Sequence, residues 1–247
     1  LLLFGLNGIV ASHIALNSYE IVFTRTLIGG FMLALIFMAG RCKSRFFENK
    51  KHGLFLLISG MAMGCSWMFL YEAYDQIGVG VATLAYYCGP VIVMVLSPLL
   101  FREKFTWPKM LGFFLVFLGM FFVNRGAADV TGSGWGMFCG ILSAVMYAVM
   151  VITNKKAKTI TGLENAMVQL IVACLIVALF LVVKQGFHLS VEKSSVLPIL
   201  ILGVVNTGIG CYFYFSSIGK LPVQSVAICG YLEPLSAVVC AVLFLRE

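Results

Sequence analysis

Tyr86-Tyr87-Cys88-Gly89-Pro90, followed by Arg102-Glu103, is echoed late in the chain by Gly230-Tyr231-Leu232-Glu233-Pro234, followed by Arg246-Glu247. Pro90 matches Pro234, Arg102 matches Arg246 and Glu103 matches Glu247 at one offset (234 − 90 = 144). Carried backwards without a gap, that offset also pairs Tyr87 with Tyr231, Val79 with Val223, Phe69 with Phe213 and Gly64 with Gly208. Ungapped self-similarity at a fixed spacing marks an internally duplicated fold. Each copy is an apolar run of helix length with a proline near its middle, closed by an Arg-Glu pair. Only the second copy sets a carboxylate, Glu233, beside the proline; the first has Gly89 there.

The chain is 61% hydrophobic and 11% charged, with a mean hydropathy of +1.03. A soluble domain carries about a quarter charged residues, and so few charges would not cover a globule's surface. The chain therefore reads as an all-α polytopic membrane protein. Its net charge of +7 does not argue for nucleic acid, because the basic residues sit in short loops between apolar runs. Eight cysteines, mostly inside those runs and without a C-x-x-C pair, make neither a disulfide framework nor a zinc pattern. They read as small apolar packing residues.

About 20 apolar residues span a bilayer core as helix. Spans are expected at residues 1–13, 20–39, 53–72, 79–101, 107–123, 134–152, 164–183, 197–216 and 222–245. Beta structure is not expected, since the runs lack period-2 alternation and exceed barrel-strand length. Arg41, Lys43, Arg45, Lys50, Lys51, Arg102, Lys104, Lys109, Lys155, Lys156, Lys158 and Lys220 fall on one side, twelve against the four of Arg125, Lys184, Lys193 and Arg246 on the other. The basic side is then cytoplasmic, with the N-terminus. Glu72 and Asp75 are expected in an outer loop. Five helices per copy, an odd number, insert the second copy upside down, an arrangement recurrent in secondary transporters. The first repeat covers residues 1–126 and the second 127–247. The opening on Leu1-Leu2-Leu3-Phe4 reads as a clipped first helix, and repeat two stops at Glu247 before a tenth.

Several residues could carry chemistry. Pro90 and Pro234 each remove a helical hydrogen bond, freeing the carbonyls of Tyr86 and Gly230; a packing kink is the plain alternative. Glu233 lies near mid-membrane, where a charged carboxylate costs at least a few kcal/mol on the most lenient insertion scales. It is a candidate for a coupling proton or a cationic substrate group, or a neutral acid bonded to a neighbouring helix. Arg25 could contact an anionic substrate group, pair with Glu20 one turn away, or snorkel outward; the last two are the commoner fates. Asn7, Trp67, Tyr71, Tyr86, Tyr87, Tyr147, Asn206, Tyr212, Tyr214 and Tyr231 are candidates for lining a substrate cavity. Tyr74, near a span end, fits an interfacial anchor better. Gly60-x-x-x-Gly64 and Gly136-x-x-x-Gly140 suit close helix approach within the bundle rather than dimerisation. No H-E-x-x-H, Walker loop, G-x-S-x-G or histidine cluster is present, so no enzyme activity, cofactor or metal site is expected. His13, His52 and His188 are far apart in sequence.

On these residues the chain resembles the EamA family of the drug/metabolite transporter superfamily. The matching positions are Tyr87, Pro90, Arg102 and Glu103 in the first copy, and Tyr231, Glu233, Pro234, Arg246 and Glu247 in the second. The resemblance implies a ten-helix basket of two inverted five-helix repeats, with cytoplasmic termini and a central cavity lined by both halves. It also implies transport of amino acids and related metabolites, relatives carrying sugars or nucleotide-sugars. The expectation is a secondary transporter in the plasma (inner) membrane, exporting a small polar metabolite such as an amino acid by alternating access with proton coupling at Glu233. An uptake or exchange carrier for a sugar or nucleotide-like solute, and a non-transporting scaffold or sensor, are the alternatives. Its expected partners are the lipid bilayer and a small-molecule substrate, with no nucleic acid; a monomer is one of the assemblies the sequence leaves open.

Overall fold

Helices carry the regular structure of the described residues, because in lipid a span must satisfy its backbone hydrogen bonds internally. The computed structural model describes residues 2–103, 107–123, 134–186 and 191–240, and no strand occurs among them. Lys104, Arg125, Asp129, His188, Arg246, Glu247, the end of the expected ninth span and the boundary at residues 126/127 lie outside the described residues.

A 3-10 turn at Leu2–Leu6 leads into α1 (Asn7–Ala11), followed by α2 (Ser18–Ala39), α3 (Lys50–Tyr86), α4 (Cys88–Phe101) and α5 (Trp107–Val123). The second half contains α6 (Gly134–Lys156), α7 (Gly162–Gln185), α8 (Val196–Leu200), a π-helical segment (Ile201–Ile209), α9 (Gly210–Ile218), α10 (Val223–Gly230) and α11 (Leu232–Cys240). Among the described residues five helical stretches are long and apolar enough to cross a membrane: Ser18–Ala39, Lys50–Phe101, Gly134–Lys156, Gly162–Lys184 and Lys193–Ile218. The protein is an integral membrane protein.

The expected division into spans needs one change. The helix expected to end at residue 72 continues beyond it, and its non-helical backbone is confined to Gly78, at φ 76 and ψ 159. A positive φ of this kind suits a residue without Cβ. Glu72 and Asp75 therefore lie in helix rather than in a loop. Glu72 is 4% exposed, paired with Lys184 Nζ at 2.7 Å and accepting from the Tyr19 hydroxyl at 2.7 Å.

The duplication is visible in the helix breaks. The non-helical Gly78 is followed by a helical stretch up to Tyr87, where a second break precedes α4. In the other half, Pro222 precedes α10, and Tyr231 separates it from α11. Tyr87 (φ −73, ψ −1) and Tyr231 (φ −73, ψ −6) adopt the same backbone conformation. Pro90 and Pro234 thus fall in the first turn of their helices, where a missing N–H is harmless. Equivalent elements also meet: α2 packs along α7, while α4 packs on α6 as Leu2–Leu6 packs on α11.

Small residues set the spacing of the bundle. A Cβ on Gly60 would come within 2.7 Å of Val172 Cβ, and one on Gly64 within 2.9 Å of Ile176 Cβ. Gly136 and Gly140 meet Gln76 and Ala85 in the same way, at 2.6 and 2.9 Å. Both G-x-x-x-G runs are therefore spent inside the bundle, on the α3–α7 and α3–α6 contacts. The α3–α6 seam carries reciprocal bonds besides: Ser66 Oγ donates to the Ser143 carbonyl at 2.9 Å and Ser143 Oγ to the Ser66 carbonyl at 2.7 Å. Gly64→Val should force α3 away from α7, with overpacking costing about 1–3 kcal/mol. The check is a lowered thermal unfolding midpoint in detergent; an unchanged midpoint would mean that the contact is loose.

Candidate functional site

The second break meets the first through its tyrosine. The Tyr231 hydroxyl donates to the Tyr87 carbonyl at 2.9 Å, and the two rings lie 6.0 Å apart. The sequence pointed to the carbonyls of Tyr86 and Gly230; the carbonyl taken up across the halves is one residue on from the first of these. Gly230 is the close-approach point, since a Cβ there would lie 3.8 Å from Pro90 Cγ and 3.3 Å from the Tyr147 hydroxyl.

Around this crossing the tyrosines form a chain of contacts. Tyr86 packs edge-on against Tyr147 at 5.5 Å and lies 5.4 Å from Tyr87. The Tyr147 and Tyr214 hydroxyls are 3.4 Å apart, and Phe4 meets Tyr214 edge-on at 6.3 Å. Edge-to-face packing of this kind holds ring planes in fixed relative orientation. Residues far apart in sequence are thereby gathered from α3, α6, α9 and the two helix breaks.

Glu233, in the first turn of α11, faces this cluster. Its charge is felt at Tyr74 and Tyr86 of α3, at Tyr87, at Tyr147 of α6, and at Cys211 and Tyr214 of α9. Arg25 of α2 is its cationic neighbour. The Glu233 side chain is half-buried, within electrostatic reach of groups on α2, α3, α6 and α9. Among the described residues its side chain makes no hydrogen bond and no ion pair within 4 Å.

Arg25 neither pairs with Glu20 nor snorkels. Glu20 is committed to a capping box at the start of α2: its carboxylate accepts from the Asn17 N–H at 3.1 Å, and its own N–H donates to Asn17 Oδ1 at 3.0 Å. Arg25 is 7% exposed, with its guanidinium 4.5 Å from the centroid of the Trp67 ring. The stacking surface of Trp67 offers an inward alternative to the water that a snorkelling arginine seeks.

The remaining candidates separate. Asn206, within the π-helical segment, donates to Asn7 Oδ1 at 3.0 Å and to the Leu3 carbonyl at 3.1 Å. The two amides flagged by sequence satisfy each other, as an amide in an apolar setting requires. Tyr71 packs edge-on against Tyr74 at 5.3 Å. Tyr74, expected at the interface, instead lies within electrostatic reach of Arg25 and Glu233, with Thr83 Oγ1 3.4 Å from its hydroxyl. Tyr212, 36% exposed beside Phe213, stands outside the cluster.

Three features escaped the sequence reading. The π-helical segment, a distortion frequent at functional sites, has no signature in Ile201–Ile209. Ser59 and Gln169 form a buried relay, Gln169 Nε2 donating to Ser59 Oγ at 2.6 Å and Ser59 Oγ to the Met150 carbonyl at 2.7 Å. Glu103 accepts from the N–H groups of Val223 and Gln224 at 2.7 and 3.1 Å, a carboxylate on the positive end of α10. Lys155 supports the same turn, donating to the carbonyls of Ile218, Gly219 and Leu221. The repeated Arg-Glu signature singled out Glu103 without revealing its partner.

Broken helices that meet inside an all-helical membrane bundle are an arrangement found in transporter folds. The chain belongs to the EamA-like transporter family, whose model matches residues 1–125 and 134–247. It is 25% identical to the uncharacterized transporter YxxF of Bacillus subtilis (strain 168), over 99% of this chain and 79% of that protein. It is 24% identical to the threonine/homoserine exporter RhtA of Salmonella typhimurium (strain LT2), over 80% of this chain and 65% of that one. A crystal structure with 16% sequence identity superposes with a TM-score of 0.82, covering 98% of this chain and 85% of its own; at that identity the likeness is one of fold.

Tyr231→Phe removes the bond between the two breaks and nothing else of the ring. It should lower stability by about 0.6–2 kcal/mol, read as a drop in unfolding midpoint; an unchanged midpoint would show that the contact is incidental.

Proposed function

We propose that the protein is a secondary active transporter that exports a small polar metabolite such as an amino acid, with Glu233 as the proton-coupling group. The observation that carries this reading is the Glu233 carboxylate, which lies within electrostatic reach of Arg25 and of several tyrosines and makes no hydrogen bond or ion pair among the described residues. A carboxylate in that setting exchanges a proton or a cationic group at little cost to the surrounding structure, because no other bond has to break first. The likeness to a threonine/homoserine exporter supports an amino-acid-like solute.

Alternating access follows from the crossing of the two broken helices. The packing of α2 on α7 and of Tyr87 on Tyr231 supports two inverted five-helix repeats, and rocking about such contacts exposes one site to each side in turn. The excess of Lys and Arg on one side supports an inner-membrane protein with that side cytoplasmic.

Glu233→Gln keeps the shape of the side chain and removes its titration. In proteoliposomes this variant should lose solute movement driven by a pH gradient and the pH dependence of its remaining transport. Wild-type pH-driven transport in the variant would rule Glu233 out as the coupling group.

A further inference from the structure

We infer that the start of α3 is a binding site for an anionic phospholipid, its phosphate on Lys50 and an acyl chain laid in the apolar groove below. The site is separate from the tyrosine crossing and does not depend on the transport reading.

The groove is a cavity of about 360 Å³ lined by Phe46, Phe47, Lys50, Gly53, Leu54 and Leu57. Lys50 is its charged member, and the other residues bring no polar side chain. Lys50, Leu54 and Leu57 stand at i, i+4 and i+7, so they line one face of α3. Seven residues of helix rise about 10 Å. An apolar trough of that length with a cation at one end matches the shape of a lipid, charged at its head and apolar beneath it.

The trough has a fixed wall. The loop before α3 is fastened to the first turn of α7, where the Glu164 carboxylate accepts from the Ser44 hydroxyl at 2.7 Å and from the N–H groups of Arg45 and Phe46 at 2.8 and 3.0 Å. Phe46 packs inward with Leu56, Ala157 and Ile160. It also lies close over Gly53, where a Cβ would meet the Phe46 carbonyl oxygen at 2.9 Å. Phe47, edge-on to Phe46 at 5.1 Å, is left pointing outward and is 81% exposed. Leu54 is 55% exposed, whereas Leu56 and Ser59 on other faces of α3 are fully buried.

The occupant follows from where the trough opens and from the charge around it. Lys50–Phe101 is long and apolar enough to cross a membrane, so the exposed flank at Leu54 borders lipid and the bilayer is the source of what fills it. Residues 41–51 hold Arg41, Lys43, Arg45, Lys50 and Lys51 against the one acid Glu48. Clustered Lys and Arg at a membrane boundary attract anionic lipid. α3 also opens on two lysines with no acidic residue in its first turn, leaving the positive end of the helix uncompensated. A phosphate answers the lysine and the helix end together. A zwitterionic choline headgroup would bring a further cation to the same place.

The test is native mass spectrometry of the purified full chain in detergent, titrated with dioleoyl-phosphatidylglycerol or dioleoyl-phosphatidylcholine, which share their acyl chains. Wild type should hold the phosphatidylglycerol about tenfold more tightly, and Lys50→Gln should cut that preference about fivefold, the worth of one lysine at an anionic surface. Leu54→Trp, which fills the trough, should weaken retention of both lipids. Lys220→Gln, at a basic turn that does not line the trough, should leave the preference unchanged. Each variant should elute as a single species with the wild-type unfolding midpoint when no lipid is added. Glycerol 3-phosphate, the headgroup anion without chains, should not displace the lipid. Equal retention of the two lipids by wild type, an undiminished preference in Lys50→Gln, or an equal loss in Lys220→Gln overturns the inference. So does unchanged retention in Leu54→Trp, or displacement by glycerol 3-phosphate, which would mark a free-anion site instead.

Discussion

The hydrogen bond from the Tyr231 hydroxyl to the Tyr87 carbonyl joins the two places where this bundle's helices break. Each break is followed three residues on by a proline in a first helical turn, where the N–H it lacks has no helical partner. A break in a membrane is tolerable only where its polar backbone is sheltered by protein or lines a cavity. Here each half shelters the other: Tyr231 sits at one break and supplies the donor for the second. The glycine beside it, Gly230, permits the close approach to Pro90 and Tyr147. Duplication thus does more than double the helix count, since it provides matched breaks that can satisfy one another.

That crossing also sets where charge can reside. Tyr86, Tyr147 and Tyr214 are brought beside Glu233 by the same convergence, and Arg25 enters from α2 on the face of Trp67. Away from this centre, ionised groups are disposed of conventionally. Glu72 is neutralised by Lys184, Glu103 caps α10, and Lys155 donates to the carbonyls that end α9. By contrast, Arg25 Nε has no hydrogen-bond partner, and neither Arg25 nor Glu233 makes an ion pair among the described residues.

Lipid supplies little hydrophobic drive between helices, so the seams depend on small residues and on hydroxyl-to-carbonyl bonds. Gly60, Gly64, Gly136 and Gly140 remove the side chains that would hold helices apart, and Ser66 and Ser143 then reach each other's backbone. These seams run between α3 of the first half and α6 or α7 of the second. The halves are therefore interlocked rather than placed side by side.

Much of this was legible in the chain. Low charge and long apolar runs determine a helical membrane protein, and the 144-residue offset picks out the two related breaks at Tyr87 and Tyr231, whereas Pro98 lies within α4 without one. Glu233 stood out for a local reason too, as a carboxylate within an apolar run. Partners were not legible. Whether Glu20 would bond Arg25 or Asn17, whether Glu72 would sit in a loop or face Lys184, and which way Tyr74 and Tyr212 would point all depend on helix rotation and neighbour choice. Those are decided by packing among segments distant in sequence, and no local pattern encodes them. The sequence by itself determined the breaks and the charges; the tertiary structure alone decided that the breaks meet and that Arg25 stacks on Trp67 instead of pairing with Glu20.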